Sequence, residues 1–145
     1  MVKSRVFSWL SAFLLLVSAA AIVILTFQSK EQTGALSHPV WDWFRAHGFR
    51  GSEHEIRSWA HVPEYFIFGC TLTLFGLSRG WGKLRIFAFG ALFGLLDECV
   101  KIPLPFREFD FGDWTKDLIG VALAIFFLSV LIRIVSAGNR KTTDE

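Results

Sequence analysis

His61 and Glu64 stand three residues apart in IRSWAHVPEYFIFG (residues 56–69), and Tyr65 follows four after His61. On a helix that spacing places all three on one face. An imidazole and a carboxylate held there can form a local hydrogen-bonded pair, or a general acid/base pair aimed at one point. Pro63 falls between them and is tolerated where a helix is beginning, so the reading starts the helix close to that residue. One histidine among several carboxylates would suit a hard or borderline divalent ion, but His-x-x-Glu alone is a common accident, so metal binding is the weaker branch and neither a metal nor a cofactor is expected. No GxSxG motif supplies a hydroxyl nucleophile. Any catalysis would rest on His61 and Glu64.

The remaining ionisable groups of interest lie at the edges of apolar runs. Asp97 and Glu98 close one run, Arg107 follows in a loop, and Asp113 and Asp117 open another. Adjacent residues on a helix point about 100° apart. One of Asp97 and Glu98 is therefore expected to face the cluster, the other headgroups or Lys101. Asp113, Asp117 and Gly120 follow an i, i+4, i+7 stripe. Arg107 can pair with Asp97, Glu98 or Asp113, or take a phosphate. Charge at the edge of hydrocarbon is costly and faces protein or water. The expected ligand-binding cluster is Arg57, His61, Glu64, Tyr65, Asp97, Glu98, Arg107, Asp113 and Asp117.

Positioning these groups requires apolar helices. The chain has 145 residues, is 52% hydrophobic and only 19% charged, with a mean hydropathy of +0.44. That composition belongs to membrane proteins. A span needs about 20 apolar residues, so a single domain over 1–145 accommodates four, at about 8–28, 59–78, 84–100 and 114–132. The expected fold is all-α, an integral membrane four-helix bundle with up-down topology. Residues 6–29 carry no charge and run longer than a signal-peptide core, which favours an uncleaved first span. Pro39–Gly48, rich in tryptophan, suggests a short interfacial helix in the first outer loop, with a plain loop as the alternative. Gly90 and Gly94 share a face that permits another helix to approach closely. Cys70 and Cys99 show no metal or redox spacing and are read as packing residues.

Charge sets the orientation. With both termini cytoplasmic, the inner segments hold eight basic residues against two acids, Asp144 and Glu145. The inner basic residues cluster tightly beside span ends, as the positive-inside rule requires. All six tryptophans fall at span ends or in connecting segments, where an aromatic belt would put them. The expected location is the cell membrane, multi-pass, with membrane lipid as a partner. A net charge of +2 without an aromatic-interleaved basic patch excludes a nucleic-acid partner.

In order and spacing these blocks resemble the VanZ-like membrane proteins, whose pattern runs roughly R..AH..EY..lG, then DE..Q, an arginine, and D...N..G. Arg57, Ala60, His61, Glu64, Tyr65 and Gly69 match the first block. Asp97 and Glu98 match the second, Arg107 the third, and Asp113 with Gly120 the fourth. Lys101 stands where the family usually has glutamine, and Asp117 where it usually has asparagine. The resemblance implies a cell-envelope protein of the kind associated with teicoplanin resistance, and no defined activity. A lipid-linked or glycopeptide-type ligand bound or shielded at the outer leaflet is the first expectation. A small membrane enzyme acting on a lipid-linked phosphate or sugar is the second, and a structural partner of another membrane protein the third. The expected partners are accordingly lipid, a lipid-linked cell-wall precursor or a membrane protein. The two departures carry opposite charge, so they are expected either to pair with each other or to leave Lys101 paired locally with Asp97 or Glu98.

Overall fold

The computed structural model describes residues 5–105 and 107–141, which form five α-helices and, among the described residues, no strand. They are α1 (Arg5–Thr26), α2 (Lys30–Ala46), α3 (Glu53–Ser78), α4 (Lys83–Lys101) and α5 (Phe111–Lys141). The all-α class agrees with the apolar periodicity of the sequence. Of the four expected spans, two are long and apolar enough by length and composition to cross a membrane: Arg5–Thr26, and Phe111–Ala137 within α5. α3 and α4 instead interrupt their apolar runs with the ionisable groups of the site. Lys3, Asp144 and Glu145, which entered the charge comparison, lie outside the described residues, as do the side chains of Arg140 and Lys141.

Two helix starts differ from the expectation, and capping explains both. The segment after α1 is a 17-residue helix rather than a short one near Pro39. It begins because Ser29 accepts from the Gln32 N–H while Gln32 reaches back to the Ser29 N–H, a reciprocal capping box. Its end was legible: α2 stops at Ala46, and Gly48 takes φ 92°, a conformation suited to glycine. Ser52 and Glu55 form a second box, so α3 starts at Glu53. Pro63 therefore lies well inside a helix instead of at its beginning. It removes one backbone donor there, and that loss is tolerated within a long, packed element.

α3 is the hub. It packs most extensively on α5 and also touches α1, α2 and α4. Gly120 makes the α3–α5 approach possible, because a Cβ there would stand 2.6 Å from the Val62 carbonyl oxygen. Gly90 and Gly94 do admit a neighbour, Gly90 facing Val121 and Gly94 facing Asp117 and Tyr65. The core between the helices is Ile22, Tyr65, Phe68, Leu72, Ile86, Val121 and Ile125, with Phe68 stacked on Phe93 at 4.5 Å between centroids. Ser18 and Thr71 hydrogen-bond at 2.8 Å between α1 and α3. Cys70 is half-buried and Cys99 exposed, both free thiols. Cys99 is thus not the packing residue expected.

Candidate functional site

The C-terminal ends of α1 and α4 meet the N-terminal halves of α3 and α5 and the start of α2. Residues separated by as much as 82 positions are joined there. The site is built from this convergence.

His61 on α3 is held from both sides by α5. Its Nδ1 lies 2.9 Å from Asp117 Oδ1, and its Nε2 lies 3.5 Å from Asp113 Oδ2. The expected His61–Glu64 pair is therefore not formed: one turn of α5 supplies both carboxylates, at the i, i+4 spacing read from the sequence. Asp113 also accepts a hydrogen bond from Ser58 and an ion-pair contact from Lys116 at 3.5 Å. Lys116 donates in turn to Ser58. The result is a closed network in which serine, lysine, aspartate and histidine satisfy one another.

On α4 both acids are buried, and of the two alternatives for the second acid, headgroups or Lys101, it is Lys101 that Glu98 meets. They do diverge as the helical angle requires. Asp97 accepts from Thr26 at the end of α1. Glu98 binds Lys101 one turn later and accepts the Asp110 N–H at 3.1 Å. Lys101 is 4% exposed. The exchange of two amides for a Lys101–Asp117 ion pair is accordingly ruled out: Lys101 pairs with Glu98 and Asp117 with His61. The local i, i+3 alternative holds because a lysine reaches its own helix neighbour at smaller entropic cost than a residue on the next helix.

Arg107 pairs with none of the expected acids. Its guanidinium donates to the carbonyls of Leu25 (3.1 Å) and Gln28 (3.4 Å) and to Thr33 Oγ1 (3.0 Å). It thereby caps the Leu25 carbonyl in the last turn of α1, at the negative end of that helix's dipole, and holds the turn that follows at Gln28. Arg57 stands 4.0 Å from Glu53. Ser37 and His38 of α2 also contact Glu53, tying α2 to α3.

These residues fall into two layers. A cavity of about 640 Å³ is lined by Arg57, His61, Glu64, Asp97, Lys101, Arg107 and Asp113, together with apolar groups from α1 to α3 that include Ile22, Leu36 and Ala60. Behind it, fully enclosed, are Tyr65, Glu98 and Asp117. His61 belongs to both layers, facing the cavity while reaching Asp117. Glu64 faces the cavity without a hydrogen bond to any other described residue. Tyr65 hydroxyl and Asp117 Oδ2 are buried without a hydrogen-bond partner among the described residues. All nine expected residues thus gather at one end. Sequence reasoning missed Thr26, Thr33 and Ser58 as site members and the burial of Lys101. A lone hydroxyl carries little signal of its own, whereas a lysine closing an apolar run was a visible anomaly. Compared with known protein families, curated proteins and solved structures, the chain matches none, and the chemistry of this site carries the functional reading.

Proposed function

We propose that the chain is a VanZ-like multi-pass membrane protein: a bundle of four spans, α1, α3, α4 and α5, with both termini cytoplasmic and the two-layered site at the outer leaflet. There it binds or shields a lipid-linked or glycopeptide-type ligand of the cell envelope. The cavity carries this reading. Its lining joins aliphatic groups such as Ile22, Leu36 and Ala60 with charged ones such as Arg57, Asp97 and Arg107, which suits an amphipathic molecule with a polar head and an apolar chain. Large apolar side chains on the outer faces, such as Trp9 (76% exposed), Leu84 (82%) and Phe126 (68%), agree with a lipid surround.

Binding is favoured over turnover by one observation. His61 is turned to the protein's own carboxylates, Nδ1 hydrogen-bonding Asp117 at 2.9 Å and Nε2 facing Asp113 at 3.5 Å, rather than to a bound molecule. A scaffold role without a ligand would leave the cavity unused. The test is equilibrium binding of a fluorescent polyprenyl pyrophosphate to the full chain in nanodiscs. Ala60→Trp, which fills the cavity from α3, is expected to abolish saturable binding while the protein stays folded. Unchanged affinity in that variant would remove the cavity as the binding site, and a hydrolysed probe would turn the reading to an enzyme.

A further inference from the structure

We propose that His61, Glu98 and Asp117 form a site for one divalent first-row transition ion, of the zinc or manganese kind. Each offers one donor atom, and the three atoms lie within 4.8 Å of one another. They come from three helices, α3, α4 and α5, as in bundle metal sites built from inward-facing histidine and carboxylate side chains. One imidazole with two carboxylates suits borderline and moderately hard divalent ions better than magnesium, which prefers oxygen alone.

The geometry of His61 points the same way. Nε2 faces Asp113 at 3.5 Å and Nδ1 faces Asp117 at 2.9 Å. In the metal-free chain Nδ1–H donates to Asp117, and an ion bound between them takes the place of that proton, leaving Nε2–H to turn to Asp113. A carboxylate behind a metal-binding imidazole is the usual means of fixing its tautomer and orientation. Asp113 stands in that place.

Two buried polar atoms supply an independent sign of a ligand. Asp117 Oδ2 and Tyr65 hydroxyl have no hydrogen-bond partner among the described residues, and both residues are 0% exposed. An unsatisfied buried polar atom is costly. Both side chains lie against Gly94, where a Cβ would come within 3.1 Å of Asp117 Oδ2 and 3.3 Å of Tyr65 Cε1.

Charge completes the case. Among the described residues Asp97, Glu98, Asp117 and Lys101 are buried. Lys101 pairs with Glu98, and a divalent ion held beside His61 would balance the remaining carboxylates, Asp97 and Asp117. Glu98 can bind the ion while keeping Lys101 and the Asp110 N–H, because each carboxylate oxygen has two lone pairs. His61 lines the cavity and so gives the ion an entry path. The site does not depend on what occupies the cavity, and its test uses no organic ligand.

The full chain in detergent is stripped with EDTA and titrated with ZnCl2, MnCl2 and MgCl2, read by calorimetry, elemental analysis and thermal unfolding. One zinc per chain is expected beyond any bound by the exposed histidines, together with a rise in Tm and an affinity for magnesium weaker by about tenfold or more. Asp117→Asn is expected to weaken zinc binding by about tenfold or more while the metal-free protein stays folded. His61→Gln serves as a second variant, expected to lose the same zinc while keeping its helical circular dichroism. Equal zinc stoichiometry and affinity in either folded variant would overturn the site. So would magnesium binding as tight as zinc, or a chain that takes up no zinc.

Discussion

A network closed by single residues predicts which pairs are coupled. Glu98 and Lys101 are buried and bonded to each other, so Lys101→Met strands a carboxylate and is expected to cost about 3–5 kcal/mol. In a double-mutant cycle with Glu98→Gln most of that loss should return. Lys101 and Asp117, by contrast, should give additive effects in the same chemical-unfolding assay. The pairings themselves show where sequence reading stops. Helical spacing correctly set His61 and Glu64 on one face, and Asp113 and Asp117 on another. It could not say that His61 would choose the second set, 56 residues away, because spacing within one helix carries no information about which helix lies opposite. Arg107 illustrates the same limit. An arginine among acids reads as an ion pair, yet its partners are backbone carbonyls, which no side-chain pattern reveals.

Elements were more legible than partners. The apolar runs behind α1, α3, α4 and α5 were all visible, and the short gap between the runs at 59–78 and 84–100 fixed a direct α3–α4 connection. The starts of α2 and α3 were not recovered, although Ser29-x-x-Gln32 and Ser52-x-x-Glu55 both stand in the sequence as capping boxes. The tryptophans and Pro39 drew the reading toward an interface or a loop, and the polar first turns of both helices masked the signal. Close approach of α3 and α5 rests on a residue with no side chain. Gly120→Ala would drive a methyl group to 2.6 Å from the Val62 oxygen. The helices must then separate, with an expected loss of about 1–3 kcal/mol from overpacking, measurable as a lowered Tm. Because Asp117 lies one turn before Gly120, the same variant should loosen the His61–Asp117 contact. Pro63 sits on the α3 side of this seam, where the backbone already lacks one hydrogen bond and can adjust.

For the whole molecule, the proposed topology makes a direct prediction. Reporter fusions after Arg50, Gly82, Glu108 and Glu145 should read outside, inside, outside and inside. An inside signal at Glu108 would sink the four-span arrangement, because the site loop must then lie in the cytoplasm. The long α1 and α5 satisfy the length and apolarity of a span on their own. α3 and α4 need them as neighbours, since their buried ions are tolerable only when enclosed by protein. That division explains why hydropathy alone marks two helices while the arrangement of ionisable groups implicates four.

The Arg107 clamp has a consequence for how the chain can be assembled. One guanidinium from the loop after α4 grips both the end of α1 and Thr33 of α2. Ser37 binds Glu53, Thr26 binds Asp97 and Ser18 binds Thr71 across the same divide. These four polar contacts form a key that a severed amino-terminal piece would carry with it. Residues 1–50 and 51–145, synthesised as two separate polypeptides, should therefore find one another and copurify. Arg107→Ala should weaken that reunion far more than it weakens the unbroken chain, in which a short covalent tether already holds the halves together.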